Sequence, residues 1–270
     1  MRGLPVVLLV LLASAGVARA DDDTAQLVAD GTRALHDGRA SDAIGAFEAL
    51  ADRGVVDAAA SYDRGLAYAT RVRIGAEVPG DLGRAAHGFE EARDLSADPK
   101  LLEDSAAALT VLRSEVARRR TQAGESVEVD PGRSLGRTLA GLLGEDTWSI
   151  ATIVASAILA MGLFARWLAR ERRVRIGGGV AAGLAAPVLV LSALMTLSAR
   201  HDRRSLVEAV VVTAVARPVD ERGVTTPGAN PLPEGARVEV LETLGARTRV
   251  RFGTIDEWVP AGSLRELVRW

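Results

Sequence analysis

Residues 148–168 read WSIATIVASAILAMGLFARWL and residues 176–197 read IGGGVAAGLAAPVLVLSALMTL, two apolar runs of 21 and 22 residues. At 1.5 Å of rise per residue, each is long enough to cross about 30 Å of hydrocarbon as a helix. The first run carries one charge, Arg166, near its end, where a long side chain can snorkel to the interface; the second carries none. Buried core helices of this composition would need a large domain around them, which the remaining chain is too short to build. The expectation is therefore two membrane helices joined by the connection 169–175.

Together with Arg166, that connection holds Arg166, Arg170, Arg172, Arg173 and Arg175 against Glu171. A short arginine-rich loop stays in the cytoplasm, so both flanking regions are expected outside. Arg200, Arg203 and Arg204 beyond the second run reduce the asymmetry, but the parity of a hairpin and an export signal favour the same orientation. Trp148 and Trp167 bracket the first run as interfacial anchors do. Gly179 with Gly183, Ala151 with Ala155 and Ser156 with Ala160 are small residues four apart. Either they let the two helices pack closely or they reflect an abundance of Gly and Ala. Pro187 is expected to kink the second helix.

The export signal is residues 1–20: Arg2, a short apolar stretch from Leu4 to Ala13, and Ala18-Arg19-Ala20 as the cleavage site. Asp21-Asp22-Asp23 then reads as the acidic start of a mature chain. The whole chain has 270 residues, 33 basic and 35 acidic, a net charge of -2, no cysteine, and only His36, His87 and His201 as histidines. Near-neutral charge argues against nucleic acid as a partner. The lack of cysteine excludes disulfides, thiolate metal sites and cysteine nucleophiles. No cofactor, metal or catalytic residue is expected, and Glu90-Glu91 reads as a solvated helix face. Gly177-Gly178-Gly179 lacks the Lys-Ser/Thr of a phosphate loop.

Between the signal and the first run, residues 21–120 show helical periodicity, and residues 121–147 read as a linker. One stretch has Gly31, Ala34, a turn at Gly38-Arg39, then Ala43, Phe47 and Leu50. A second has Gly65, Tyr68, a turn at Gly83-Arg84, then Ala85, Phe89 and Ala92, with about eight extra residues before that turn. A small residue four before a Phe and an apolar residue three after it share one helix face. This is similar to the tetratricopeptide pattern, in which the Gly lets paired helices approach and the Ala–Phe stripe meets the next repeat. A generic helical bundle is the alternative, since the consensus Trp is missing. Leu102, Ala106, Leu109, Leu112 and Val116 lie on a further helix expected to cap the array. The resemblance implies a groove on the first helices, formed by Val28, Thr32, Leu35 and His36 with Tyr62, Leu66 and Thr70.

Residues 205–270 change to short β-branched runs at 209–212, 237–241, 247–252 and 257–259, separated by Gly and Pro. Leu232-Pro233-Glu234-Gly235-Ala236-Arg237-Val238-Glu239-Val240-Leu241, followed by Val250, Trp258-Val259-Pro260 and Leu264, resembles bacterial SH3-type domains. Glu257 stands where those domains usually have Gly. Trp258 is expected in a small barrel's core, with a ligand platform as the alternative.

The fold class expected is thus multidomain: a tetratricopeptide-like all-α domain, a transmembrane helical hairpin and a small all-β SH3-like barrel. The order signal peptide, helical repeats, membrane hairpin and SH3-type tail is similar to the BatE proteins of bacterial aerotolerance (Bat) operons. That resemblance implies a scaffold or adaptor at the inner membrane, facing the periplasm. Its partners would be envelope proteins, among them von Willebrand A-type Bat proteins, with the lipid bilayer as anchor and peptidoglycan as an alternative ligand of the tail.

Overall fold

The computed structural model describes residues 23–125, 145–220 and 222–268; the expected signal segment and most of the linker lie outside the described residues. The described residues form seven helices and one five-stranded antiparallel sheet. They fall into two compact units. One takes its chain from both before and after the apolar region, and the other is the apolar region itself.

In the first unit, α1 (residues 23–36) and α2 (Ala40–Asp52) turn at Gly38, whose φ of 73° suits glycine. α3 (Ala58–Arg73) is started by Asp57, which accepts hydrogen bonds from Ala59 N and Ala60 N at 2.9 and 3.1 Å. α4 (Asp81–Leu95) follows Gly80 at φ 94°. α5 (Pro99–Gln122) has Asp98 capping Lys100 N at 2.9 Å and Pro99 in its first turn. The turn expected at Gly83-Arg84 therefore lies inside α4. The Asp81 carboxylate folds back onto Val78 N at 2.9 Å and starts the helix earlier.

The two helix pairs repeat one contact. A Cβ on Gly31 would stand 2.9 Å from the Phe47 ring, and one on Gly65 2.9 Å from the Phe89 ring. Each glycine is the notch that seats a phenylalanine of the following helix. Ala43, Phe47 and Leu50 are buried, as are Ala85, Phe89 and Ala92, so both stripes face the core as their spacing requires.

The sheet comprises β1 (Val207–Val211), β2 (Arg237–Leu244), β3 (Arg247–Phe252), β4 (Ile255–Pro260) and β5 (Leu264–Glu266), in the order β4-β3-β2-β1-β5. β5 follows a short 3-10 turn and is a three-residue strand, too brief to show a period in sequence. Ala209 and Val211 point into a cluster with Ala216, Leu232, Ala236, Val238, Val250 and Val259. Val210 points the other way, into the helical core with Leu109, Leu112 and Leu267. β1 is thus covered on both faces, which is why Ala209-Val210-Val211-Val212 shows no apolar–polar alternation.

Helices and sheet share this seam at close quarters. A Cβ on Gly80 would lie 2.4 Å from Val212 O, and one on Gly83 2.4 Å from Val211 O, so α4 rests directly on the end of β1. α4 is enclosed by α3, α5 and β1 and buries His87, Glu90 and Glu91. The solvated face expected at Glu90-Glu91 is instead the middle of the unit.

In the second unit, α6 (Glu145–Leu168) and α7 (Arg172–Ser205) form a hairpin. Both are long and apolar enough to cross a membrane, over Thr147–Leu168 and Arg172–Leu197, with mean hydropathies of 2.0 and 2.2. The connection shortens to residues 169–171, placing Arg172, Arg173 and Arg175 on α7. Pro187 lies within the continuous α7. Close approach is made by Gly162 and Gly178: a Cβ on either would fall within 2.7 Å of the other's carbonyl oxygen. Ala155, Ala182, Ala185 and Ser192 complete the buried seam, seven apart along α7 from Gly178 to Ala185 to Ser192. Gly183, expected in the seam, faces open space.

Candidate functional site

The side chains gathered at the helix–sheet seam are the most concentrated polar chemistry among the described residues. Arg64 of α3, itself 4% exposed, donates to Glu91 Oε2 at 2.7 Å, and Ser61 Oγ donates to the same oxygen at 2.7 Å. Arg64 Nη2 also lies 3.1 Å from His87 Nδ1, while His87 Nε2 lies 2.9 Å from Glu266 O of β5. A guanidinium can only donate, so Nδ1 accepts and Nε2 carries the proton given to the carbonyl. Burial first, and then the Arg64 charge, push the His87 pKa down to about 3, which keeps the ring neutral.

Two more knots flank this one. Glu48 of α2 accepts from Tyr68 Oη at 2.9 Å and from Arg265 of β5 at 2.9 Å. Burial works to raise the Glu48 pKa, but Arg265 and Arg64 outweigh it and hold the carboxyl below its usual range. Burial and then the neighbouring Glu48 carboxylate push the Tyr68 hydroxyl up. Further round α4, the fully buried Glu90 accepts from Arg113 at 2.8 Å, from Arg237 of β2 at 2.7 Å, and from Arg93. Arg237 also reaches Asp94 at 2.7 Å and Glu208 of β1. Glu234 accepts from Gly83 N at 2.9 Å, and burial raises its pKa against that hydrogen bond.

Chemically, this arrangement is a joint. Both His87 nitrogens are engaged and buried, and Glu48, Glu90 and Glu91 are each bound by an arginine from another element, while Glu234 takes a backbone N–H. A charge pair removed from water stabilises only when its hydrogen bonds are met, and here most come from both sides of the seam, while Arg64 Nε lacks one and lies 4.0 Å from Glu48 Oε1. Among the described residues no group of three or more His, Asp or Glu side chains is placed to hold a metal ion.

The residues expected to form a groove are divided by the structure. Val28, Thr32 and His36 are exposed on α1, the His36 side chain at 91%. Leu35, Tyr62 and Leu66 are half-buried and pack onto the helical core, with the Tyr62 ring 5.4 Å from that of Phe89. Thr70 is buried at 6% exposure, turned away from any partner. Trp258, expected in the sheet's core, is half-buried and outside that cluster, with the Arg247 guanidinium 5.3 Å above its ring. In β3 and β4 it shares the outward face with Arg249 and Asp256, because the pairing sets Arg249 opposite Trp258.

The seam left no trace in the spacing of either segment: Glu90 and Arg237 are 147 residues apart. The signal in the sequence is the cluster of small residues Gly80, Gly83, Ala86 and Gly88 at the start of and along α4, wider than a single helix contact needs. Compared with known proteins, the chain matches no family model, no curated protein and no solved structure.

Proposed function

We propose that the protein is a membrane-anchored scaffold that presents one composite domain on the outer side of the cytoplasmic membrane and binds partner envelope proteins there. The observation that carries this reading is the seam. Segments before and after the hairpin fold into one compact unit, so the two ends of an inserted hairpin must return to the same compartment. The five arginines at its tip argue that the tip is cytoplasmic and the composite domain periplasmic.

The notched pairs Gly31/Phe47 and Gly65/Phe89 support a tetratricopeptide-like reading of α1 to α4, and the meandering sheet an SH3-like reading of the tail. With the order of segments, they support a role like that of the BatE proteins, in a Bat-type complex with von Willebrand A-type partners. The exposed face of α1, with Val28, Thr32 and His36, is where such a partner would dock. Purification in mild detergent of the full chain and of the double variant Val28→Glu, Thr32→Arg tests this. The double variant should lose its co-purifying partner while keeping its helix content; full retention would remove α1 from the interface. A reporter active only outside the cytoplasm should work at the carboxyl terminus and fail beside Arg172; the reverse would overturn the orientation.

One observation favours a second reading, an envelope sensor whose tail binds peptidoglycan. A cavity of about 210 Å³ lies between Val219, Arg222, Leu244 and Arg247, and the Arg247 guanidinium that lines it also lies 5.3 Å over the half-buried Trp258 ring. Sedimentation of the full chain with cell-wall sacculi, lost in Trp258→Ala, would favour the sensor.

A further inference from the structure

Five of the ten residues from Arg166 to Arg175 are arginines, opposed only by Glu171. All five guanidinium-bearing residues are exposed, and among the described residues none of them forms an ion pair. Arg172, Arg173 and Arg175 stand in the first turn of α7, which contains no acidic residue. A helix amino terminus carries partial positive charge and favours anions, so these arginines repel both the helix end and each other. Arg166 joins them from α6. A Cβ on Gly179 would come within 2.8 Å of its Nη1, so the bare glycine gives the guanidinium room to lie along the start of α7. Trp167, 83% exposed, projects beside the cluster.

We propose that the tip of the hairpin is a binding site for the phosphate headgroups of anionic phospholipid. The site rests on reading α6 and α7 as membrane spans, which puts the cluster at the depth of the headgroups. Guanidinium groups engage phosphate oxygens in pairs of parallel hydrogen bonds, and a lipid of net negative charge relieves the repulsion that the protein leaves unanswered. A zwitterionic headgroup brings its own ammonium and relieves less of it. Trp167 is the interfacial neighbour of any lipid held there. The site would bind the protein preferentially to anionic regions of the bilayer rather than merely orient it.

The test uses the full chain with Trp167 as its single tryptophan, the other three replaced by Phe, in phosphatidylcholine vesicles. These contain equal mole fractions of either brominated phosphatidylglycerol or brominated phosphatidylcholine. Quenching of Trp167 should be roughly threefold or more stronger with the anionic lipid. The preference should vanish in the variant Arg170→Gln, Arg172→Gln, Arg173→Gln at unchanged helix content. Equal quenching by the two lipids, or a preference that survives in the triple variant, would overturn the site. Absence of quenching by both lipids would overturn the membrane reading itself, a different failure with a different signature.

Discussion

The pairs α1/α2 and α3/α4 are built on the same notch, yet they live in different surroundings. Aligning Phe47 with Phe89 sets Gly45 against His87, Ala46 against Gly88, Glu48 against Glu90 and Ala49 against Glu91. In α2 the core takes one stripe, and Gly45 has nothing within 4 Å of where a Cβ would be. In α4 the sheet covers what would have been the solvent face, and the fully buried Glu90 meets three arginines. A repeat therefore fixes how its own two helices meet. What covers its outer face is decided by another part of the chain.

The sharpest way to break this comparison is Arg237→Ala. It strips the buried Glu90 of a partner from β2 and leaves Asp94 and Glu208 facing each other across the gap. Removing one member of a buried ion pair costs roughly 3–5 kcal/mol, because the other charge stays buried. The surface pair Arg39–Asp42 at the start of α2 is solvent-exposed and screened, and Arg39→Ala should leave the midpoint nearly where it is. The chain has no cysteine, so the protection of a single thiol introduced at the buried Val250 reports unfolding in urea. Equal midpoints for the two alanine variants would mean that the sheet does not complete α4.

Next in size is Gly88→Ala. Its new Cβ would fall 2.6 Å from Gly65 N and 2.7 Å from Ser61 O, backbone atoms that cannot swing aside. Overpacking of this kind costs about 1–3 kcal/mol or more. Ala46 already occupies the matching position in α2, half-buried and without strain. The same thiol assay should show a loss for Gly88→Ala; an unchanged midpoint would place α3 and α4 further apart than the structure has them.

These contrasts show what was legible. The notch residues, the stripes at Ala43/Phe47 and Ala85/Phe89, and the two apolar helices follow from local spacing, because each contact joins residues close in sequence. Glu90 and Glu91 read as solvated because two adjacent carboxylates on a helix face water unless distant arginines come to them, and Arg237 arrives from beyond the hairpin. Gly83 suggested a turn, but its lack of a side chain serves the approach of Val211 O. In the hairpin the abundance of small residues leaves open which of them meet, and it is Gly162 and Gly178, not Gly183, that make the close approach. Among groove candidates, Thr70 is buried where Val28, Thr32 and His36 are exposed because α3, which carries it, packs against α2, α4 and α5, contacts that local spacing does not show.

A smaller effect comes from pH. The His87 pKa falls to about 3 in the folded unit, against about 6.5 in an unfolded chain. As pH drops below 6.5 the unfolded chain takes up a proton that the folded state refuses, so stability is lost on acidification. Between pH 7 and pH 5 this amounts to about 2 kcal/mol, a window above the ordinary carboxylate range. His87→Gln keeps an acceptor for Arg64 and a donor for Glu266 O but cannot titrate, so its stability should fall less over the same window. Parallel slopes for the two proteins would show that His87 is solvated and that the seam is open.

The smallest effect should have the opposite sign. Gly45 lies inside α2, is exposed, and has open space where a Cβ would go. Alanine there loses less backbone entropy on folding than glycine, which favours the helix by about 0.5–1 kcal/mol. Gly45→Ala should therefore raise the urea midpoint of the full chain, whereas Gly88→Ala, one position from its counterpart His87, should lower it. The two substitutions remove the same hydrogen and add the same methyl in the matching second helices of the two pairs, so intrinsic propensity cancels between them. What remains is the difference between a helix covered on one side and a helix covered all round. If Gly45→Ala destabilises the protein, then something packs on α2 as the sheet packs on α4, and the outer face of the first pair is itself part of an interface.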